Sequence, residues 1–117
     1  MSHTVLIVDD HASFRASARL LLETEGFDVI GEAESGAAAL KAATELHPEL
    51  VLLDVHLPDL DGFDVASRLT GMEPPPIVVL TSSRDGSDFG PLVGRSGARG
   101  FVPKGDLSGE LIAALID

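Results

Sequence analysis

Four runs of apolar residues mark the chain, and each ends at a residue able to do chemistry. Val5-Leu6-Ile7-Val8 runs into Asp9-Asp10, and Leu50-Val51-Leu52-Leu53 runs into Asp54. Ile77-Val78-Val79-Leu80 meets Thr81, and Gly100-Phe101-Val102-Pro103 meets Lys104. Short apolar runs bounded by turn residues read as buried strands of a parallel sheet. The pattern therefore predicts strands at Thr4 to Val8, Leu50 to Leu53, Ile77 to Leu80 and Arg99 to Val102. A further strand, second in the chain, is predicted over Phe27 to Ala33. Its Asp28 and Glu32, with Glu34 just beyond, make it more polar, which suits a sheet edge.

Between the strands the apolar period becomes helical. From Ala12 onward, Phe14, Ala18, Leu21 and Leu22 share a face, and Gly26 offers a C-cap. Ser35 can cap a helix carrying Ala39, Leu40, Ala43 and Leu46. His47-Pro48 ends that helix, because a residue before proline avoids helical geometry. Asp61 can cap a third helix with Phe63, Ala66 and Leu69 inward, closed by Gly71 and Pro74-Pro75-Pro76. Asp106 or Ser108 can start a last one with Leu111, Ile112 and Leu115 inward.

The stretch from Ser82 to Arg99 is the weakest. Gly86, Gly90, Pro91, Gly94 and Gly97 crowd it, and an interior glycine costs about 1 kcal/mol against alanine, an interior proline about 3 kcal/mol. Proline is tolerated at the first helical position. The expectation is a short fourth helix starting near Pro91, preceded by a loose segment from Asp85 through Gly90. Strand–helix alternation throughout implies an α/β fold, a parallel sheet with helices on both faces. It fills residues 1–117 as a single domain.

Composition narrows the function. The formal net charge of −11 disfavours direct contact with nucleic acid or an anionic membrane, both of which need a basic footprint. Without cysteine there is no disulfide or thiol chemistry, and the lack of Tyr and Trp disfavours a stacking platform for single strands. No stretch approaches the roughly 20 apolar residues of a membrane span, and no signal peptide opens the chain. A cytoplasmic domain is expected.

The strand ends carry the candidate chemistry. In open α/β sheets, ligands bind in the crevice beyond the strand ends. If the strands are parallel and adjacent, Asp9, Asp10 and Asp54 converge there with the Thr81 hydroxyl and the Lys104 ammonium. Hard carboxylate oxygens suit Mg2+, which keeps several waters and pairs with phosphate oxygens. Asp54 can act as a nucleophile, since carboxylates form acyl phosphates. Lys104 supplies a point charge to a phosphate, and Thr81 a hydrogen bond. Taken singly, each has a bland reading: Asp-Asp as a capping pair, Lys104 as a solvated lysine, Thr81 as a strand-end residue. Their recurrence at the ends of separate apolar runs is far more specific.

Other motifs are weaker. His11, His47 and His56 lack zinc-site spacing and are not expected as side-chain ligands, although His56 is near enough to Asp54 to line the crevice. His3 has no assigned role. Asp59-Leu60-Asp61-Gly62 lacks the later donors of a calcium loop, and no glycine-rich nucleotide loop is present.

Val8-Asp9-Asp10-His11, Leu53-Asp54-Val55-His56-Leu57-Pro58-Asp59-Leu60-Asp61-Gly62, Leu80-Thr81-Ser82 and Gly100-Phe101-Val102-Pro103-Lys104 together resemble the receiver domain of two-component response regulators. The resemblance covers essentially the whole chain and is nearest to receivers of the NarL/LuxR type. It implies a flavodoxin-like (CheY-like), doubly wound, five-stranded parallel sheet in the order 2-1-3-4-5. It implies that Asp54 is the phosphoacceptor, taking a phosphoryl group from a sensor histidine kinase, a phosphotransfer protein or a small phosphodonor. Asp10, Asp54 and the backbone carbonyl of His56 would hold Mg2+, with Asp9 helping mostly through water. Thr81 and Lys104 would contact the phosphoryl group. Thr81 and Phe101 match the switch pair that alters the surface of the fourth helix, fifth strand and fifth helix, with room for a phosphorylation-dependent homodimer. Such a domain catalyses only its own phosphoryl transfer and slow autodephosphorylation.

Two departures from the family pattern stand out. Gly105 follows Lys104 where the family usually has proline, which predicts a looser loop there. The glycine-rich fourth-helix region predicts a mobile output element. Three alternatives belong beside the switch. A receiver-like interaction module would work without phosphorylation. An acid-nucleophile phosphatase would need a second aspartate where His56 stands. A flavodoxin-like nucleotide binder would meet an acidic crevice that repels phosphate.

Overall fold

The alternation of apolar side chains within each run explains the architecture seen in the computed structural model, which describes residues 3–83 and 89–116. The strands are β1 (Thr4–Val8), β2 (Asp28–Ala33), β3 (Leu50–Asp54), β4 (Ile77–Ser82) and β5 (Gly100–Pro103). The helices are α1 (Ala12–Thr24), α2 (Gly36–Leu46), α3 (Gly62–Thr70), α4 (Gly90–Arg95) and α5 (Gly109–Ile116). All strand pairs are parallel, in the order β2-β1-β3-β4-β5. The fold is the flavodoxin-like, doubly wound one, with β2 at an edge.

Successive strand side chains point to opposite faces, and here both faces are covered. Leu6, Val8, Val51, Leu53, Val78 and Leu80 join α2 and α3 in one core. Val5, Ile7, Leu50, Leu52 and Val79 join α1 and α5 in the other. Fully burying such a side chain is worth about 1.5–3 kcal/mol. The sheet is therefore the rigid layer from which the strand-end residues project.

Local signals set most element ends. Ser35 Oγ accepts from the Ala38 amide at the head of α2, and Asp61 accepts from the Phe63 amide at the head of α3. Gly26 takes the left-handed backbone (φ 98°) just past the C-cap Glu25. His47 ends α2 in the same region (φ 48°). Of the two residues expected to start α5, Ser108 does so, its Oγ accepting from the Leu111 amide. Asp106 instead closes a 3-10 turn over Lys104–Asp106.

Three expected core residues point outward: Leu21, Leu46 and Leu111 are 41%, 42% and 38% exposed. In α1 the buried line runs through Ala18 and Leu22, and Leu21 stands about 100° away from Leu22 around the axis. In α5 the buried line runs through Gly109 and Ile112, which leaves Leu111 at the rim. Phe27 precedes β2 rather than starting it, although its side chain is buried. The fourth helix is short and has Pro91 in its first turn, as its sequence predicts. Of the loose segment expected before it, positions 85–88 lie outside the described residues, and Gly90 already begins the helix.

Candidate phosphoacceptor and metal site

Parallel pairing brings the ends of β1, β3, β4 and β5 to one edge. Val8 pairs with Leu53, so Asp9 emerges beside Asp54. Asp54 pairs directly with Thr81, and Val102 and Pro103 pair with Thr81 and Ser82. Lys104 follows at once and turns back over the edge. Its Nζ lies 2.7 Å from Asp9 Oδ2 and 3.3 Å from Asp54 Oδ2. It also stands 4.4 Å from the centre of the Phe14 ring, a cation–π distance. Ion pairs and an aromatic face thus hold the ammonium without a following proline. Gly105 sits in a turn closed by the Leu107 amide on the Lys104 carbonyl.

Both central carboxylates are buried, Asp9 at 0% and Asp54 at 3% exposure. Asp9 Oδ1 accepts from the His11 amide at 2.8 Å and contacts the His11 ring Nδ1 at 3.0 Å. Its Oδ2 is fully buried and has Lys104 as an ion-pair partner but no aligned hydrogen bond. Asp54 Oδ1 accepts from the His56 amide at 3.0 Å. Burial opposes the charge on Asp9, but Lys104 and the His11 donors outweigh it and hold its pKa below the ordinary value. For Asp54 burial prevails, and with the neighbouring Asp9 charge it pushes the pKa up against the His56 donor and Lys104. Burial also opposes the Lys104 charge, yet the two carboxylates hold its pKa above the ordinary value.

The site is short of positive charge. Asp9, Asp10, His11 and Asp54 each offer a ligand atom, all within 4.8 Å of one another. Three are hard carboxylate oxygens, the donor class that divalent magnesium takes. The His11 ring is set between Asp9 and Asp10, 3.0 and 3.1 Å away, as a partner to the carboxylates. The donor set and the raised Asp54 pKa fit a divalent cation. Thr81 Oγ1 is buried and has no hydrogen-bond partner among the described residues, so a hydroxyl is available beside Asp54.

Every strand-end residue singled out in the sequence therefore lies on this edge. Asp10 is more exposed than Asp9 and lines an open cleft of about 360 Å³ with His56, Asp59 and Asp61. Phe101 is half-buried, and its ring centre is 5.5 Å from that of Phe89. Phe89 also meets Phe63 at 5.5 Å and the His56 ring at 5.9 Å. Sequence reasoning missed Phe89, which sits in a glycine-rich stretch with no periodic neighbour. It also missed the place of His11, which direct adjacency to two aspartates signals. Phe14 was legible only as a core residue.

A family model described as the response regulator receiver domain matches residues 5–116. The chain belongs to the response regulator receiver domain family. It is 43% identical over 114 residues to the virulence-factor transcription regulator BvgA of Bordetella pertussis, covering 97% of this chain and 54% of BvgA. It is 35% identical over 112 residues to the response regulator GacA of Pseudomonas aeruginosa, covering 95% of this chain and 52% of GacA. The chain spans about half the length of the curated relatives it matches. Among solved structures it resembles the signal receiver domain of the response regulator NarL from Mycobacterium tuberculosis, with a TM-score of 0.89 and 34% identity, covering 99% of this chain and 94% of that one. The chain is thus a signalling domain of two-component systems rather than a metabolic enzyme. Among the described residues no helix is long and apolar enough to cross a membrane.

Proposed function

We propose that Asp54 is the phosphoacceptor of a Mg2+-dependent switch. The observation that carries this reading is a buried aspartate at the end of β3, in register with a threonine hydroxyl unpartnered among the described residues and bridged through Lys104 to a second buried aspartate. An Asp54 carboxylate oxygen forms the new bond to phosphorus. The bond from phosphorus to a sensor kinase's histidine, to a phosphotransfer protein or to a small donor breaks, and that group departs with the electron pair. Lys104 offsets charge on the phosphoryl oxygens, and Thr81 donates a hydrogen bond to one of them. Such transfer needs mainly positioning and charge stabilisation. Asp10, Asp54 and the His56 carbonyl would hold Mg2+, with Asp9 acting through water. When bound, the ion supplies positive charge that offsets the carboxylates and the phosphoryl oxygens.

Thr81 and Phe101 form the switch. Phe101 packs on Phe89 at the head of α4, so a movement of the Thr81 hydroxyl toward phosphate, with inward turning of Phe101, changes the surface of α4, β5 and α5. A phosphorylation-dependent homodimer or an effector domain of a longer regulator would read that surface. Slow loss of the phosphoryl group to water resets it. The net charge of −11 disfavours direct nucleic-acid contact by this domain, and membership of the receiver family supports a cytoplasmic setting.

The test is intact-mass spectrometry after treatment with acetyl phosphate and Mg2+. One added phosphoryl mass is expected, absent in Asp54→Ala and absent without Mg2+. No addition with any donor would reduce Asp54 to a structural or metal-binding group and leave a phosphorylation-independent interaction module.

A further inference from the structure

Loop 55–62 carries His56, and its neck is tightly closed. The Gly62 amide donates to the Val55 carbonyl at 3.0 Å, and His56 pairs with Asp61 in an antiparallel bridge. A Cβ on Gly62 would lie 2.5 Å from the Asp54 carbonyl oxygen and closer still to Val55 Cα. The two ends of the loop are therefore fixed to each other at its neck.

Its outer part is tied down elsewhere. Asp59 Oδ1 accepts from the Gly36 amide at 2.8 Å, and Oδ2 accepts from the Ala37 amide at 3.0 Å. Among the described residues, this carboxylate makes the only hydrogen bonds from positions 57–60 to another element. The first amides of a helix have no partner within it. In α2, Ser35 takes the Ala38 amide, and Asp59 takes the two before it. The cap is completed from a loop 23 positions further along the chain. The helix also sits hard on that loop and on α3, since a Cβ on Gly36 would come within 2.9 Å of Leu60 Cβ in the loop and 3.0 Å of Val65 Cγ2 in α3. Asp10 and the loop face each other across the open cleft, which Asp59 also lines.

We propose that Asp59 is a positioning residue for the cation site. By clamping loop 55–62 to the head of α2, it sets where the His56 carbonyl stands relative to Asp10 and Asp54. This rests on the reading that those three groups hold the divalent ion. Asp59 touches neither the ion nor the phosphoryl group; it acts through the loop.

Ser35 provides the control. It caps the same helix end and, among the described residues, makes no hydrogen bond to the loop, so Ser35→Ala weakens α2 without removing the Asp59 clamp. The probe is Mn2+, with free ion counted by electron paramagnetic resonance and no phosphodonor present. The proteins are the full chain, Asp59→Ala, Asp59→Asn and Ser35→Ala. Asp59→Ala is expected to weaken Mn2+ binding about tenfold, the low end of what outer-shell groups are worth. Asp59→Asn keeps an acceptor oxygen without the charge, and its loss should be about twofold to threefold on the same scale. Ser35→Ala should leave the affinity unchanged. Amide exchange at His56 and Leu57 should quicken in Asp59→Ala and not in Ser35→Ala.

Equal losses in Asp59→Ala and Ser35→Ala would make Asp59 an ordinary cap and overturn the proposal. So would equal losses in Asp59→Ala and Asp59→Asn, which would make the effect one of charge. If Asp59→Ala does not fold, Asp59→Asn against Ser35→Ala carries the same comparison. A wild-type chain that binds no Mn2+ would defeat the cation reading itself, and this proposal with it. Binding that is unchanged in Asp59→Ala would defeat the proposal alone.

Discussion

Loop 55–62 and helix α4 flank the same acidic edge, and they are built in opposite ways. The loop has a hydrogen-bonded neck, a capped exit at Asp61, a carboxylate clamp at Asp59 and no space for a Cβ on Gly62. Helix α4 is six residues long, has no side-chain cap and buries none of its own residues. Among the described residues, a Cβ on Gly90 or Gly94 would meet nothing within 4 Å. Val93 rests partly buried against the core, and the other contacts that hold α4 are at its ends. Phe89 packs on Phe63 and Phe101, and Thr70 Oγ1 donates to the Ser96 carbonyl at 3.1 Å. The difference separates two tasks. Groups that position a phosphoryl reaction must stay within fractions of an ångström, whereas an element that reports the reaction must shift at low cost. Regions that move are drawn from the parts with few buried contacts.

The sharpest way to break this contrast is to add the same methyl group on each side. Gly62→Ala forces the loop backbone apart and should destabilise the fold by about 3 kcal/mol, at the upper end of overpacking costs. Urea unfolding measures it, and a loss under about 0.5 kcal/mol would show that the loop yields as readily as an ordinary surface site. Gly94→Ala meets free space among the described residues and needs no positive φ. It should stabilise the fold by about 0.5–1 kcal/mol through reduced backbone entropy. Amide exchange in α4 should then slow. Destabilisation instead would mean that α4 is packed more tightly than its open glycines indicate.

The smallest effect lies outside both regions and calibrates them. Glu32 on β2 takes Arg15 Nε at 3.0 Å and Arg19 Nε at 2.8 Å. The Arg19 hydrogen bond, against some burial and with help from Arg15, holds the Glu32 carboxyl below its ordinary value of 4.5. A depressed folded-state value contributes stability above the unfolded-state value and loses it as pH falls through the folded one. Wild type should therefore exceed Glu32→Gln by about 0.5 kcal/mol at pH 7, as partly exposed pairs do. The gap should shrink below pH 4.5 and close in stronger acid. A gap that holds constant through acid pH would mean that the pairing carries no net charge contribution.

Much of the fold was legible because period and punctuation are local properties. Val5–Val8 and Leu50–Leu53 are too short and too evenly apolar for a surface helix, and both sheet faces bury them. Asp54, Thr81 and Lys104 were legible for a topological reason: parallel strands point the same way, so residues ending different runs share one edge. The outward turn of Leu21 and Leu111 was not legible. An apolar residue one position off a buried line reads the same as one on it until the neighbouring helix is in place. Phe89 gave no signal, because its partners Phe63 and Phe101 lie in other elements and only packing brings their rings to 5.5 Å.

By itself the sequence determined the class of fold, the order of elements and the chemical types at the strand ends, because these depend on side-chain period and polarity along the chain. Only the tertiary structure decided which groups meet. It put the Lys104 ammonium between two buried carboxylates, the His11 ring beside Asp9 and Asp10, and the Asp59 carboxylate on the head of α2. The Lys104 and Asp59 pairings depend on distances of about 3 Å between residues far apart in the chain. Such distances are set by how closely sheet, loop and helix approach, down to the missing Cβ of Gly36 and Gly62.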